Sequence, residues 1–230
     1  MVVKFSRIKN HELLSQRVYR IIKRDIISGK LTPDSRLFEE RIAEQMEISR
    51  TPVREALRLL AAEGFVKLVP NNGIVVSQVS PQDLLDVLHI RLQLETYAID
   101  LASRKITDVD IKELKSIIEQ MKKVIDSKDS MSYNNLNLKF HNRIISISGN
   151  KKLYEMCENL HQQSIHWIRS LVLPGRMRHS LNEHIRITKS LEEKDSESSK
   201  KEMYRHINNV ISNIASMNRR EKIGDETNRG

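Results

Sequence analysis

The chain holds a single cysteine, Cys157, so no disulfide can form within it. That scarcity fits a reducing compartment, and a cytoplasmic location is expected. Cys157 lies in a stretch of helical apolar periodicity and reads as a small core residue rather than a nucleophile. Seven glycines and five prolines in 230 residues leave few helix breakers, so helix-rich structure is expected. No apolar run exceeds a few residues, which excludes a membrane-spanning helix, and the first residues lack the apolar stretch of a signal peptide.

What the chain has in excess is positive charge. Its formal net charge is +9, which favours a polyanionic partner. From Met1 to Ser77 there are fourteen Lys and Arg against nine Asp and Glu, so the basic excess is concentrated in the N-terminal third.

Within that third, Ser49 to Leu60 is the most informative stretch. Thr51 is expected to cap a helix, with Pro52 at the first helical position, where its missing N–H costs nothing. Val53, Leu57 and Leu60 then form one apolar face, while Arg50, Arg54 and Arg58 recur every four residues along another. Such a row of arginines can be no more than a solvated face. It also suits a major groove, because a guanidinium can bond both acceptors of a guanine edge and can neutralise phosphate. Glu39 to Met46 reads as a short amphipathic helix joined to the basic one by a tight turn, the form of a helix-turn-helix. Gly64 is placed to end the second helix. Phe65–Val69 and Ile74–Ser77, separated by Pro70-Asn71-Asn72-Gly73, read as a β-hairpin. The sum is a winged helix-turn-helix.

From Ser80 onward only helices are legible. Ser80-Pro81-Gln82-Asp83 is a strong helix start, and Thr107-Asp108-Val109-Asp110 another. Six helices are expected, over about 81–103, from Thr107–Asp110 through at least Ile125, and over about 130–148, 151–171, 177–193 and 198–217, assembled as an antiparallel bundle. The fold class is therefore mainly α. The expected domains are a DNA-binding unit over 1–78, a helical unit over 79–218 and a disordered polar tail over 219–230.

His141, His184 and His206 fall on three different predicted helices, and histidines projecting into a bundle from separate helices can converge on one metal. Asn137 lies one turn before His141 on the same face. The other readings are core histidines with ordinary partners, or a metal-free pocket in which they meet a ligand directly. Arg91 is either a pocket cation or half of a surface i,i+4 pair with Glu95.

Residues Leu14 to Ser77 resemble the DNA-binding domain of the GntR family of bacterial transcription regulators. The resemblance is carried by Ile26-Ile27-Ser28-Gly29-Lys30-Leu31, Arg36-Leu37, Ser49 through Leu57, and Glu63-Gly64-Phe65-Val66. It implies that Arg50 and Arg54 read bases and phosphates, that Thr51 bonds a phosphate, and that Gly73 at the wing tip enters the minor groove. Arg36, Ser49 and Asn72 complete the implied DNA-facing set. Many relatives carry arginine where this chain has Glu40. A carboxylate there repels phosphate, so that contact is expected to be absent or moved to Arg41 or Arg36.

The windows Asn137 to His141, Ser148-Gly149-Asn150, Leu181 to His184 and Met203 to Ile207 resemble the FCD effector domain, the C-terminal half of the FadR-type branch. In that branch an Asp and three His often hold a divalent metal. The resemblance implies a Zn or Ni site at His141, His184 and His206, with Asn137 a weaker ligand than the usual Asp. It also aims Arg91 at a small carboxylate effector. His89, His161, His166 and Arg169 are further pocket candidates. The resulting expectation is a ligand-responsive regulator, not an enzyme, binding a palindromic operator as a homodimer. Two alternatives stand beside it, a metal-dependent hydrolase and a ligand-independent architectural DNA-binding protein.

Overall fold

The computed structural model describes residues 13–69, 73–78, 80–127, 129–170 and 176–227, without the side chains of 165–170 and 217–227. The chain divides into two compact units, Met1–Gln78 and Val79–Gly230.

The first unit opens with α1 (Leu14–Ile27). Val18, Ile22 and Ile26 repeat every fourth residue and form its buried face. Next come β1 (Arg36–Leu37), α2 (Glu39–Gln45), α3 (Arg50–Ala62), β2 (Val66–Val69) and β3 (Gly73–Val76). The three strands form an antiparallel sheet in the order β1-β3-β2, with Leu68 opposite Ile74 and Arg36 opposite Val75. The hairpin matches expectation. The two-residue β1 was not foreseen, because it is too short to show a periodicity.

Helix α3 buries Val53, Ala56, Leu57 and Leu60 against α1 and the wing. Of these, Val53, Leu57 and Leu60 each contribute about 1.5–3 kcal/mol through removal from water. The helix ends before Gly64, whose φ of +79° only glycine adopts without strain. Its start differs from expectation. Ser49 is the N-cap residue and makes no side-chain cap bond, so Thr51 and Pro52 lie inside the first turn. Proline is tolerated there because the first turn's N–H groups have no partner within the helix.

The second unit is a bundle of α4 (Pro81–Ser103), α5 (Asp108–Asp126), α6 (Ser130–Ile147), α7 (Lys151–Ser170), α8 (Arg176–Glu192) and α9 (Ser196–Thr227). Ser80 and Asp83 close a reciprocal capping box on α4, and Thr107 and Asp110 do so on α5. Leu114, Ile117, Phe140, Ile144, Ile187 and Ile207 are among the side chains that fill its core. Helix α9 runs ten residues beyond its expected end at Met217. The polar run Asn218-Arg219-Arg220-Glu221-Lys222 holds good helix formers and no proline, so the helix propagates where composition alone suggested an irregular tail. Cys157 is buried beside Ala98, Ile145 and Leu153, and burial pushes its thiol up to about 12, which fits a packing role.

Candidate metal centre and nucleic-acid interface

His141 on α6, His184 on α8 and His206 on α9 meet in the interior of the bundle, all three buried. Their ligand-capable nitrogens lie within 4.8 Å of one another. The apolar stripes that build the core place them there. His141 follows Phe140 and precedes Ile144, His184 lies one turn before Ile187 and Thr188, and His206 sits between Met203 and Ile207.

Two glutamates orient two of these rings. His141 Nδ1 donates to Glu95 Oε2 at 2.6 Å, and His206 Nδ1 donates to Glu183 Oε2 at 2.6 Å. In a neutral ring such a bond places the proton on Nδ1, which would leave Nε2 with its lone pair. Those two Nε2 atoms face each other at 3.2 Å. The third ring, His184, has no hydrogen-bond partner on either buried nitrogen among the described residues. Two facing imidazole nitrogens beside an orphaned third ring form an arrangement that a cation would relieve. The spacing also suits one: in a tetrahedral site with Zn–N of about 2.0–2.1 Å, ligand nitrogens lie about 3.3 Å apart. Asn137 is half-buried one turn before His141 on α6.

The electrostatics keep two of these rings, His184 and His206, ready to coordinate. Burial lowers His206 to about 4 and holds His184 well below an ordinary histidine, so both are neutral near pH 7. Burial opposes the charge on Glu183, but the bonds from His206 and Asn209 and the Arg176 guanidinium outweigh it and bring the group to about 2.

Glu95 holds a second cluster. It accepts from Arg91 Nε at 2.9 Å and from His161 Nε2 at 2.8 Å, besides His141. Burial favours its neutral form, yet His161, Arg91 and His141 together hold the carboxyl well below the usual range. Burial in turn brings His161 down to about 4. Arg91 also donates to Ser164 Oγ at 2.8 Å. The i,i+4 pair of Arg91 with Glu95 therefore exists, but in the interior rather than on the surface, and two of the guanidinium nitrogens are already committed. Sequence reasoning missed Glu95 and Glu183 as supports of the histidines. Of the other pocket candidates, His161 joins the cluster and His89 is exposed, while the side chains of His166 and Arg169 lie outside the described residues.

In the first unit, Arg50, Arg54 and Arg58 are exposed along α3, opposite its buried face. Ser49 and Thr51 are exposed at its start, Arg36 is exposed on β1, and Gly73 begins β3 with φ +71°. Asn72 lies outside the described residues. Two of the arginines are not bare. Arg50 Nη1 pairs with Glu40 at 2.7 Å, and Arg54 pairs with Glu39 at 2.9 Å. Arg41, one of the residues expected to replace a lost phosphate contact, instead lies over the Phe38 ring at 5.0 Å.

Residues 14–76 match the family of bacterial regulatory proteins, gntR family, and residues 86–209 match the FCD domain. The chain belongs to the GntR family. Its FCD half puts it in the FadR-type branch. This GntR chain is 30% identical over 193 residues to the uncharacterized HTH-type transcriptional regulator YdhC of Bacillus subtilis, covering 83% of this chain and 86% of that protein. It is 29% identical over 190 residues to the HTH-type transcriptional regulator McbR of Escherichia coli, covering 81% and 86%. The solved structure of E. coli McbR/YncC superposes with a TM-score of 0.77 at 26% identity, over 90% of this chain and 99% of that one. The GntR chain is thus a transcriptional regulator with a DNA-binding winged helix-turn-helix, and not an enzyme. No helix among the described residues is long and apolar enough to cross a membrane.

Proposed function

We propose that this regulator acts as a repressor, binds a palindromic operator as a homodimer, and is controlled by a small carboxylate at a metal held by His141, His184 and His206. The observation that carries the metal reading is the pair of Nε2 atoms at 3.2 Å beside the unpartnered His184. Zn or Ni suits three imidazoles. Asn137, with a neutral amide in place of a carboxylate, would be a weak fourth ligand and leaves the centre more positive. Bound there, a metal would supply a positive charge able to take a ligand oxygen. The chain's own part is to fix the rings through Glu95 and Glu183 and to exclude water by burial. Arg91 braces Glu95, and its remaining nitrogen is what it offers an anionic effector.

Dimerisation is supported by one face of α4. Val87, Ile90, Leu94, Tyr97 and Leu101 follow each other at spacings of three and four, the period of a helix-pairing seam. Ile90 and Tyr97 are about half exposed, at 49% and 52%. A second copy of α4 running antiparallel about a two-fold axis would bring Asp86 toward Arg104 of the other copy, which already pairs with Asp100 in its own chain. Two-fold symmetry in the protein matches two-fold symmetry in the operator. Regulation follows from linkage: an effector that prefers one state of the helical unit shifts the DNA-binding equilibrium by its differential affinity.

The test uses full-length protein without a histidine tag, stripped of metal, and an operator selected from random duplexes. Fluorescence anisotropy should report tight DNA binding that a small carboxylate reverses only when Zn or Ni has been restored. Reversal without metal would mean that the histidines meet the effector directly. No reversal by any of a broad set of carboxylates would overturn the proposed effector class.

A further inference from the structure

The two glutamates that open α2 face the first two arginines of α3, but under different conditions. Glu39 is largely covered, with 25% of its side chain exposed. It accepts from Arg54 Nε at 3.0 Å and from Nη2 at 2.9 Å, tying α2 to α3. Glu40 has 70% of its side chain exposed and meets Arg50, itself 60% exposed, at 2.7 Å. An ion pair this open contributes little to stability, because water and salt screen it and two long side chains must be ordered to make it. The fold therefore does not require Glu40.

Nor does raw affinity for DNA explain it. In a helix-turn-helix the first helix crosses the phosphate backbone while the start of the second meets base edges. An anion in the first turn of α2 opposes that approach, in a chain whose net charge of +9 otherwise favours it. A carboxylate in contact with Arg50 has another use. A guanidinium has five N–H donors and a guanine edge takes two, so a carboxylate can hold the guanidinium while it reads the base. In the major groove the amino groups are those of cytosine and adenine. Adenine sets an acceptor, N7, beside its amino group, and this repels a carboxylate, whereas cytosine N4 does not.

We propose that Glu40 is a sequence-reading residue of this regulator: it positions Arg50 on a guanine and itself accepts from N4 of a cytosine at the neighbouring base pair. A phosphate contact is given up for a base contact. The proposal rests on α3 being the helix that enters the groove.

The experiment is selection from random duplexes by the full-length protein, carried out on wild type, Glu40→Ala, Arg50→Ala and the double variant. Wild type should enrich a guanine next to a cytosine in each half-site. Glu40→Ala should lose the cytosine preference by about tenfold or more and broaden the guanine position, while positions read elsewhere keep their preference. In the Arg50→Ala background the guanine preference should already be gone, and removing Glu40 should not change that position further. Binding of Glu40→Ala to a fixed unselected duplex should rise and its salt dependence steepen by about one unit, as when one more phosphate is contacted. Melting temperatures of the variants should stay close to wild type, since both side chains are exposed. An unchanged sequence preference in Glu40→Ala, with only the rise in affinity, would reduce Glu40 to a general charge and overturn the proposal. If wild type selects no sequence at all, the groove-reading assignment of α3 fails, and the role of Glu40 fails with it.

Discussion

Nε2 of His141 and Nε2 of His206 face each other at 3.2 Å, and a glutamate holds the far nitrogen of each ring. If that arrangement is a metal centre, metal-stripped protein should bind one Zn or Ni per chain in competition with a chromophoric chelator. His184→Ala should abolish tight binding. Glu183→Gln should weaken it roughly 10–100-fold, because the amide orients His206 less firmly and does not raise its basicity. Equal affinity in His184→Ala would remove the three-histidine site.

The pH response of the metal-free protein follows from the buried imidazoles. His161 and His206 stand at about 4 in the folded chain, against 6.5 for an ordinary histidine. Between those values the unfolded chain binds more protons than the folded one, so stability must fall as pH drops through the window. Glu183, at about 2 against an ordinary 4.5, adds a further loss at lower pH with the same sign. The apo melting temperature should therefore decline from about pH 6.5 down to 4. A flat profile across this range would mean that the two rings do not stay unprotonated inside the bundle.

Arg54→Ala should cost on the order of 1–3 kcal/mol on the selected operator and relax preference at one base pair per half-site. Titration of wild type and variant against operators substituted one position at a time checks this. A uniform loss on every sequence would assign Arg54 to phosphate instead.

Ile90→Glu with Tyr97→Glu should convert a dimer to a monomer in sedimentation equilibrium. In the antiparallel pair, an acid at position 90 of one copy comes close to the acid at position 97 of the other and repels it, and central interface anchors commonly carry about 2 kcal/mol or more each. A dimer that survives both substitutions pairs through another face, and a wild-type monomer would leave the exposed seam without its proposed occupant.

Much of the architecture was legible because local chemistry and packing agree. Ser80-Pro81-Gln82-Asp83 and Thr107 with Asp110 announce helix starts that the fold uses as capping boxes. The periodicity of Val53, Leu57 and Leu60 fixes which side of α3 is buried and so exposes Arg50, Arg54 and Arg58. The three histidines converge because each rides beside an apolar stripe. Glu95 and Glu183 were harder to see. A glutamate is ordinarily exposed, and Glu95 at i+4 from Arg91 has the spacing of a surface pair. A usable hint was present: Glu95 is followed three and four residues later by Ala98 and Ile99, both fully buried, which places it on a covered face. Partners from α6 and α7 could not be inferred from spacing, since they are brought to it only by tertiary packing.

Glu95 has two carboxylate oxygens and three donors, contributed by Arg91 on its own helix, His141 on α6 and His161 on α7. It works as a mechanical joint. A tug on His141 from an occupant of the histidine centre would reach α4 and α7 through one rigid planar group. Cutting the joint with Glu95→Gln would leave three helices free to respond separately to whatever is bound.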